Sequence, residues 1–60
     1  MVVDYDNIKI KVWFMQSTAR NFDNVIQIRL QADLLAIKIS DGKEHLINFR
    51  SVTMIEELGG

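Results

Sequence analysis

Alternation of apolar and polar residues is the main pattern along this chain. In the first run the even positions are apolar, namely Ile8, Ile10, Val12 and Phe14. The odd positions between them are Lys9, Lys11 and Trp13. Successive side chains of a β-strand point to opposite faces, so this run predicts a half-buried strand with a basic outer face.

Two further runs follow, separated only by Ala32 and Asp33. The first carries Ile26, Ile28 and Leu30, and the second carries Leu35, Ile37 and Ile39. A two-residue turn between them predicts a hairpin whose register is set by the turn, with Leu30 opposite Leu35, Ile28 opposite Ile37 and Ile26 opposite Ile39. On the outer face the same register pairs Gln27 with Lys38 and Arg29 with Ala36. The turn lacks Gly or Asn, so we expect Asp33 to adopt a positive φ.

The segment Ser40-Asp41-Gly42-Lys43 is a strong hairpin signal. A two-residue turn would direct Leu46 and Asn48 to the inner face. A three-residue turn with left-handed Gly42 directs Ile47 and Phe49 there instead. We favour the three-residue turn, since it buries two large apolar groups and places Lys38 opposite Glu44.

The remaining segments give weaker signals. Residues 15–24 are rich in polar residues and are predicted as a loop that Phe22 attaches to the core. Residues 48–51 are predicted as a bend or one 3₁₀ turn. For residues 52–57 a helix with a capping box at Thr53 and Glu56 is one alternative, but the β-branched residues and the short length favour a strand.

These elements predict an all-β fold: a small five-stranded rolled antiparallel sheet or an SH3-like barrel. The order of connections resembles the SH3-like barrel only loosely, and no motif of that superfamily is present. No linker or repeat divides the chain, so we interpret residues 1–60 as a single domain.

The size and composition of the chain favour self-association. A 60-residue chain buries only about 60% of the surface that its unfolded form exposes. The sequence has no Cys for a disulfide, and its single His is not enough for a zinc site. Apolar residues nevertheless make up 48% of the chain. We therefore expect a homo-oligomer. No apolar run is long enough for a membrane span or a signal peptide, and we expect a cytoplasmic protein without membrane contact.

Two sets of residues are candidates for binding. The basic outer face consists of Lys9, Lys11, Arg29 and Lys38 together with Trp13. It lies in a stretch, residues 8–53, that carries seven basic and four acidic residues, and it suggests binding of nucleic acid or another anionic ligand. The second set is an apolar outer patch of Leu34, Ala36, Leu46 and Met15, which is typical of an interface. Solvated lysines and scattered surface leucines are the simpler interpretations of both sets.

Catalytic and metal chemistry find little support in the sequence. His45 is expected beside the core as a structural residue, and a nucleophile would need an activating base in addition. The carboxylate pairs Asp4–Asp6 and Glu56–Glu57 are expected to be solvated, and neither supplies enough oxygen ligands for a cation. We predict no catalytic residues, no metal and no cofactor.

The sequence thus predicts a non-enzymatic binding module that is homo-oligomeric and acts as an accessory or inhibitor protein by binding another macromolecule, which we expect to be a protein. Nucleic-acid or anionic-ligand binding is the alternative. A remote alternative rests on Gly59 and Gly60, a tail that resembles the C-terminus of ubiquitin-like and sulfur-carrier proteins. That resemblance implies a glycine tail activated as an adenylate and a sheet wrapped around a central helix.

Overall fold

The alternating runs form the strands of one antiparallel sheet in a computed structural model that describes residues 1–59. The strands are β1 (Val2–Phe14), β2 (Ala19–Gln31), β3 (Leu34–Ile39), β4 (Glu44–Asn48) and β5 (Val52–Gly59). A 3₁₀ turn, η1 (Phe49–Ser51), joins β4 to β5. Within residues 1–59 the five strands are ordered β4-β3-β2-β1-β5 and there is no α-helix. The predicted five-stranded all-β fold is confirmed, and the sheet is open rather than closed into a barrel.

The β2–β3 hairpin has the predicted register over most of its length. Gln31 pairs with Leu34, Leu30 with Leu35 and Ile28 with Ile37. The predicted pairing of Ile26 with Ile39 is wrong, because a register shift between residues 25 and 27 makes Val25 the partner of Ile39. Val25 is fully buried, although by strict alternation it would share the outer face with Gln27 and Arg29.

The residue with positive φ in the β2–β3 turn is Ala32, at φ 52°, and not Asp33. A left-handed conformation costs an L-residue with a Cβ about 1–2 kcal/mol, so this turn is strained. The β3–β4 turn is unstrained by comparison, because Gly42 takes the left-handed position at φ 93° as predicted. Its three-residue form places Lys38 opposite Glu44 and buries Ile47, which confirms the preferred register.

The predicted loop over residues 15–24 is wrong in its second half, since β2 begins at Ala19. The turn is confined to the residues between Phe14 and Thr18, whose N–H and C=O groups bond at 2.9 Å. Ser17 takes the left-handed position at φ 61°. Phe22 does reach the core, but it does so from a strand.

Register shifts bend both long strands. One shift lies between Asp4 and Ile8 of β1, and a second lies between Phe22 and Val25 of β2, opposite Ile8 and Ile10. Asn7 and Asn24 occupy these sites with φ values of 51° and 56°, a conformation that Asn tolerates better than most residues. Such bulges bend a strand and increase its twist, which allows the sheet to roll around its inner side chains. The buried cluster consists of Ile8, Ile10, Val12, Phe22, Val25, Ile28, Leu35, Ile37 and Ile47.

The last segment is a strand and not a helix. Asn48 caps η1, its Oδ1 accepting a hydrogen bond from the Arg50 N–H at 3.0 Å, and the chain then continues into β5. β5 pairs with the second half of β1, Val12 lying opposite Ile55. In the described part of the chain, no helix has the length and apolar character that crossing a membrane requires.

Candidate binding surfaces

The first part of the predicted basic face lies where β1 pairs with β5. Lys11 lies opposite Glu56, and its Nζ is 4.4 Å from the centroid of the Trp13 ring. The indole Nε1 of Trp13 donates to Glu56 Oε1 at 3.3 Å. One face of the indole is thus covered by an ammonium group and its polar edge is bonded to a carboxylate, which leaves less of the ring for stacking on a base. Lys9 is exposed and pairs with Gly59.

The second part lies on β2 and β3, and acidic groups accompany it as well. Arg29 Nη2 is 3.4 Å from Glu44 Oε1, and Lys38 lies directly opposite Glu44. Gln27, the cross-strand partner of Lys38, donates to Asp4 Oδ1 at 3.0 Å. The charge of this part of the outer face is therefore largely balanced.

The structure separates these two parts. Asn21 of β2 lies opposite Lys11, so Arg29 is eight positions further along β2. At about 3.3 Å per residue this is roughly 26 Å of bent strand. Lys9, Lys11 and Trp13 thus form one group, and Arg29 and Lys38 form another. They do not make one continuous basic surface.

The structure brings together only some residues of the predicted apolar patch. Leu34 and Leu46 are adjacent on the outer face, because Leu34 pairs with Asn48 and Leu46 pairs with Ala36. Both are exposed, at 42% and 60%. Ala36 is 2% exposed and belongs to the floor of the patch, which corrects its predicted exposure. It is covered because Arg29 of β2 and Glu44 of β4 meet above β3.

Met15 does not join this patch. It is 69% exposed in the β1–β2 turn, where its N–H bonds to the C=O of Ser51 at 3.0 Å. That position is next to the start of β5. The prediction that Met15 lies with Leu34 and Leu46 is therefore wrong, since the three residues share outer-face parity but belong to different parts of the sheet.

An open cleft of about 500 Å³ borders Leu34 and Leu46. It lies between the β2–β3 turn and β4, and the N–H of Phe49 bonds to the C=O of Asp33 at 2.7 Å beside it. Leu34 and Leu46 supply apolar walls, and Gln31, Asp33, Asn48 and Arg50 supply polar groups. Such a mixture suits contact with a polypeptide better than enclosure of a small molecule.

Sequence reasoning missed a second exposed apolar region on β5. Met54, Ile55 and Leu58 are 49%, 37% and 49% exposed. Ile55 is on the inner face, opposite the fully buried Val12, and it remains accessible because no strand of this chain lies beyond β5 in residues 1–59. The signal in the sequence was the number of large apolar residues in a terminal strand.

His45 takes the position beside the core that was predicted for a structural residue. His45 is half-buried on β4 opposite Ile37, and its ring lies 5.1 Å from that of Phe22 at a tilt of 58°. Among residues 1–59 no group of three or more His, Cys, Asp or Glu side chains is arranged to hold a metal ion. Gly59 ends β5, and Gly60 lies outside the described residues. The central helix implied by the sulfur-carrier resemblance is absent from residues 1–59.

Comparison with protein-family models, with curated proteins and with solved structures found no match to this chain. The exposed surfaces described above are therefore the basis for a functional proposal.

Proposed function

We propose that this protein is a non-enzymatic binding module that self-associates and acts as an accessory or inhibitor protein by binding a macromolecular partner. The observation that carries the proposal is the location of its exposed apolar side chains. Leu46 lies on one edge strand, β4, and Met54, Ile55 and Leu58 lie on the other, β5.

Exposed apolar residues on unpaired strand edges support association for two reasons. Edge strands present N–H and C=O groups that can pair with another chain, and soluble proteins usually protect them with charged residues, Pro or bulges. The strands β4 and β5 carry Glu44, Glu56 and Glu57, but neither contains Pro, and both combine open backbone with large exposed apolar side chains. Burying these side chains contributes roughly 25 cal/mol per Å² of apolar surface.

Binding of a further macromolecule is assigned to the cleft beside Leu34. This cleft is at the β2–β3 turn and offers apolar walls with polar groups around them. Interfaces with protein partners commonly combine an apolar centre with a polar rim. A partner that covers the cleft would contact Leu34, Asn48 and Arg50.

Nucleic-acid or anionic-ligand binding has less support as a function. Its residues fall into two separate groups, and Glu44 and Glu56 accompany the cations in both of them. Binding of a polyanion requires cations that are available to its phosphates. The geometry therefore favours the protein-binding function.

The test is the mass of the purified protein in solution, measured by light scattering during size-exclusion chromatography at 5–100 µM. We expect a mass above that of the 6.9 kDa chain, increasing with concentration. A constant monomer mass over this range would overturn the self-association part of the proposal. For partner binding, Leu34→Glu should abolish capture of a partner that the unaltered protein retains, and unchanged capture would move the partner site away from the cleft.

A further inference from the structure

The two edge strands of this sheet run in the same direction. Each strand is antiparallel to its neighbours in the order β4-β3-β2-β1-β5, so directions alternate and the first and last strands agree. A second copy that continues the sheet with its inner face on the same side can therefore bring its β5 to β4 only as a parallel pair. Pairing of β4 with β4, or of β5 with β5, would be antiparallel about a two-fold axis.

Hydrogen bonds to β3 determine which backbone groups of β4 are available. Ile39 N–H donates to Lys43 C=O at 3.0 Å, and Phe49 N–H donates to Asp33 C=O at 2.7 Å. Because hydrogen-bonded and non-hydrogen-bonded residues alternate along an antiparallel strand, the odd-numbered residues between these points also bond to β3. The even-numbered residues direct their N–H and C=O groups to the open side, and these are Glu44, Leu46 and Asn48.

The same reasoning defines the open side of β5. Phe14 N–H donates to Thr18 C=O at 2.9 Å, so Phe14 faces β2 and the preceding residue, Trp13, faces β5. Trp13 pairs with Met54, whose backbone groups are therefore used within the chain. The next residue, Ile55, directs its N–H and C=O groups to the open side.

We propose that copies of this chain assemble head to tail by parallel pairing of β4 with β5 of a second copy, in the register that places Leu46 opposite the second copy's Met54. This inference rests on the self-association proposed above and identifies its interface. In a parallel ladder each residue bonds to the two residues that flank its opposite neighbour. The open N–H and C=O of Leu46 then meet two residues of the second copy: Ile55, and Thr53, which is the extra residue between Val52 and Met54 in the pairing of β5 with β1.

This register matches side chains on both faces of the continued sheet. On the outer face Leu46 meets Met54, and on the inner face Ile47 meets Ile55. Moving the second copy by two residues would instead place Glu56 against Leu46 and Glu57 against Ile47, which buries carboxylates against apolar groups. In the proposed register those carboxylates lie at the end of β4 that is followed by Arg50.

Other open stretches of the sheet are less suited to strand addition. Residues 2–6 of β1 and residues 19–23 of β2 each lack a neighbour on one side. The first carries Asp4 and Asp6 and ends at the bulge residue Asn7, and the second carries Arg20 and Asp23 and ends at the bulge residue Asn24. Charges and bulges hinder edge pairing. The strands β4 and β5 carry charges too, but they combine them with exposed large apolar side chains at Leu46, Met54 and Ile55, whereas Val2 is the one such side chain in residues 2–6 and 19–23.

A head-to-tail contact also covers more apolar surface than a two-fold contact. A β4–β4 dimer would leave Met54, Ile55 and Leu58 in solvent, and a β5–β5 dimer would leave Leu46 there. One heterologous contact uses both edges of every copy. The second copy is thus the occupant that covers Leu46, Met54 and Ile55 with a single type of interface.

The first test uses one blocked variant for each edge. Leu46→Glu places a carboxylate beside Met54 and Glu56 of the second copy, and Met54→Glu places one beside Leu46 and Glu44. Both positions are exposed in the single chain, so folding should be preserved, which circular dichroism and thermal melting can verify. Val2→Glu is the matched control, since Val2 is 58% exposed and lies away from β4 and β5.

Each blocked variant alone is expected to be a monomer by light scattering, and Val2→Glu is expected to assemble like the unaltered chain. An equimolar mixture of the two blocked variants should form a 1:1 dimer, because one intact β4 and one intact β5 remain. If the unaltered chain assembles but the mixture stays monomeric, or if either variant alone still dimerises, the head-to-tail inference is overturned while self-association stands. A monomeric unaltered chain would overturn both.

The second test is disulfide cross-linking, for which the absence of Cys from the sequence provides a clean background. Opposite residues of paired strands lie within disulfide range. The double variant Leu46→Cys/Met54→Cys should oxidise to a ladder of covalent multimers on a denaturing gel. Dimers from Leu46→Cys alone would show a β4–β4 two-fold contact, and dimers from Ile55→Cys alone would show a β5–β5 contact. Either result, or the absence of a ladder from an assembled double variant, contradicts the proposed register.

Discussion

The same type of side chain is buried to very different extents on the interior and edge strands of this sheet. Ile37 on β3 and Ile55 on β5 both lie on the inner face, yet Ile37 is 0% exposed and Ile55 is 37% exposed. β3 has neighbours on both sides, whereas β5 pairs only with β1 in the described chain. Burial here depends on the number of neighbouring strands more than on residue type, so the chain's apolar content is divided between a core and two open edges.

The largest expected effect comes from testing this contrast directly. Ile37→Ala should lower the free energy of unfolding by about 2–5 kcal/mol, because it removes buried methylenes and leaves a cavity. Ile55→Ala should cost the single chain less, about 1–2 kcal/mol, because its side chain is already partly in water, and it should weaken assembly in addition. Urea denaturation followed by Trp13 fluorescence, at a concentration where the protein is monomeric, measures both values. Equal losses would show that Ile55 is as well packed as Ile37.

Ile37→Val is the companion variant for that measurement. A domain of 60 residues holds about 3–9 kcal/mol in total, so Ile37→Ala alone could unfold it. The valine variant should lose about 0.5–1.5 kcal/mol and remain folded.

The turns on either side of β3 offer the next contrast. Gly42 and Ala32 both have positive φ, and an added Cβ at Gly42 would meet nothing within 4 Å. Gly42→Ala should therefore destabilise by about 1–2 kcal/mol through backbone strain alone. Ala32→Gly should relieve the same strain, with a net gain of about 0.5–1 kcal/mol after the added entropy of the unfolded chain. Thermal unfolding of the two variants measures this, and changes of the same sign would contradict it.

A smaller effect is expected at the ion pair that crosses β3. Arg29 and Glu44 have side chains 39% and 33% exposed, so solvent screens their attraction. Glu44→Gln, which preserves shape, should cost no more than about 0.5 kcal/mol, and the difference should vanish in high salt. Denaturation at low and high ionic strength provides the measurement. A loss above about 1 kcal/mol would show that this ion pair contributes more to the free energy of unfolding than an exposed pair does.

The smallest effect is expected on Trp13 fluorescence when the protein is titrated with single-stranded oligonucleotides. Lys11 covers the Trp13 ring and Glu56 binds its indole N–H, so we expect no change in Trp13 fluorescence at physiological salt. Quenching that weakens as salt increases would instead favour the nucleic-acid function.

The hairpins of this fold were accessible from sequence because local signals determine them. A two-residue interval between alternating runs set the register around Ala32, and Asp41-Gly42 set the next one. The bulges were not predicted, although they leave a trace. Inward residues Phe22, Val25 and Ile28 are spaced by three instead of two, and each interval contains a register shift: one lies between Phe22 and Val25, at Asn24, and the other lies between Val25 and Gln27.

The early part of β2 was misread for a related reason. Arg20, Asn21 and Asp23 are polar because this half of the strand has no neighbour on the β3 side and faces water, not because it is a loop. The composition of an exposed strand and that of a loop are similar. Only the pairing with β1 distinguishes them.

In the candidate surfaces, only the features that follow from parity, the alternation of side chains between the two faces of a strand, were predictable. Parity correctly placed Leu34 and Leu46 side by side on the outer face. It could not show that an ion pair covers Ala36, that Met15 lies in a separate turn, or that β5 is an edge. Those facts depend on strand order and on contacts between residues distant in the sequence.

The two edges of the sheet are different strands, and this gives any assembly that pairs β4 with β5 a polarity. One terminus of such an assembly would present β4 and the other would present β5, so the two termini would be chemically unlike. A small amount of a peptide copying β5 would then cap one terminus and leave the other able to grow. Growth from one end alone is a property that a two-fold dimer of the same chain would not have.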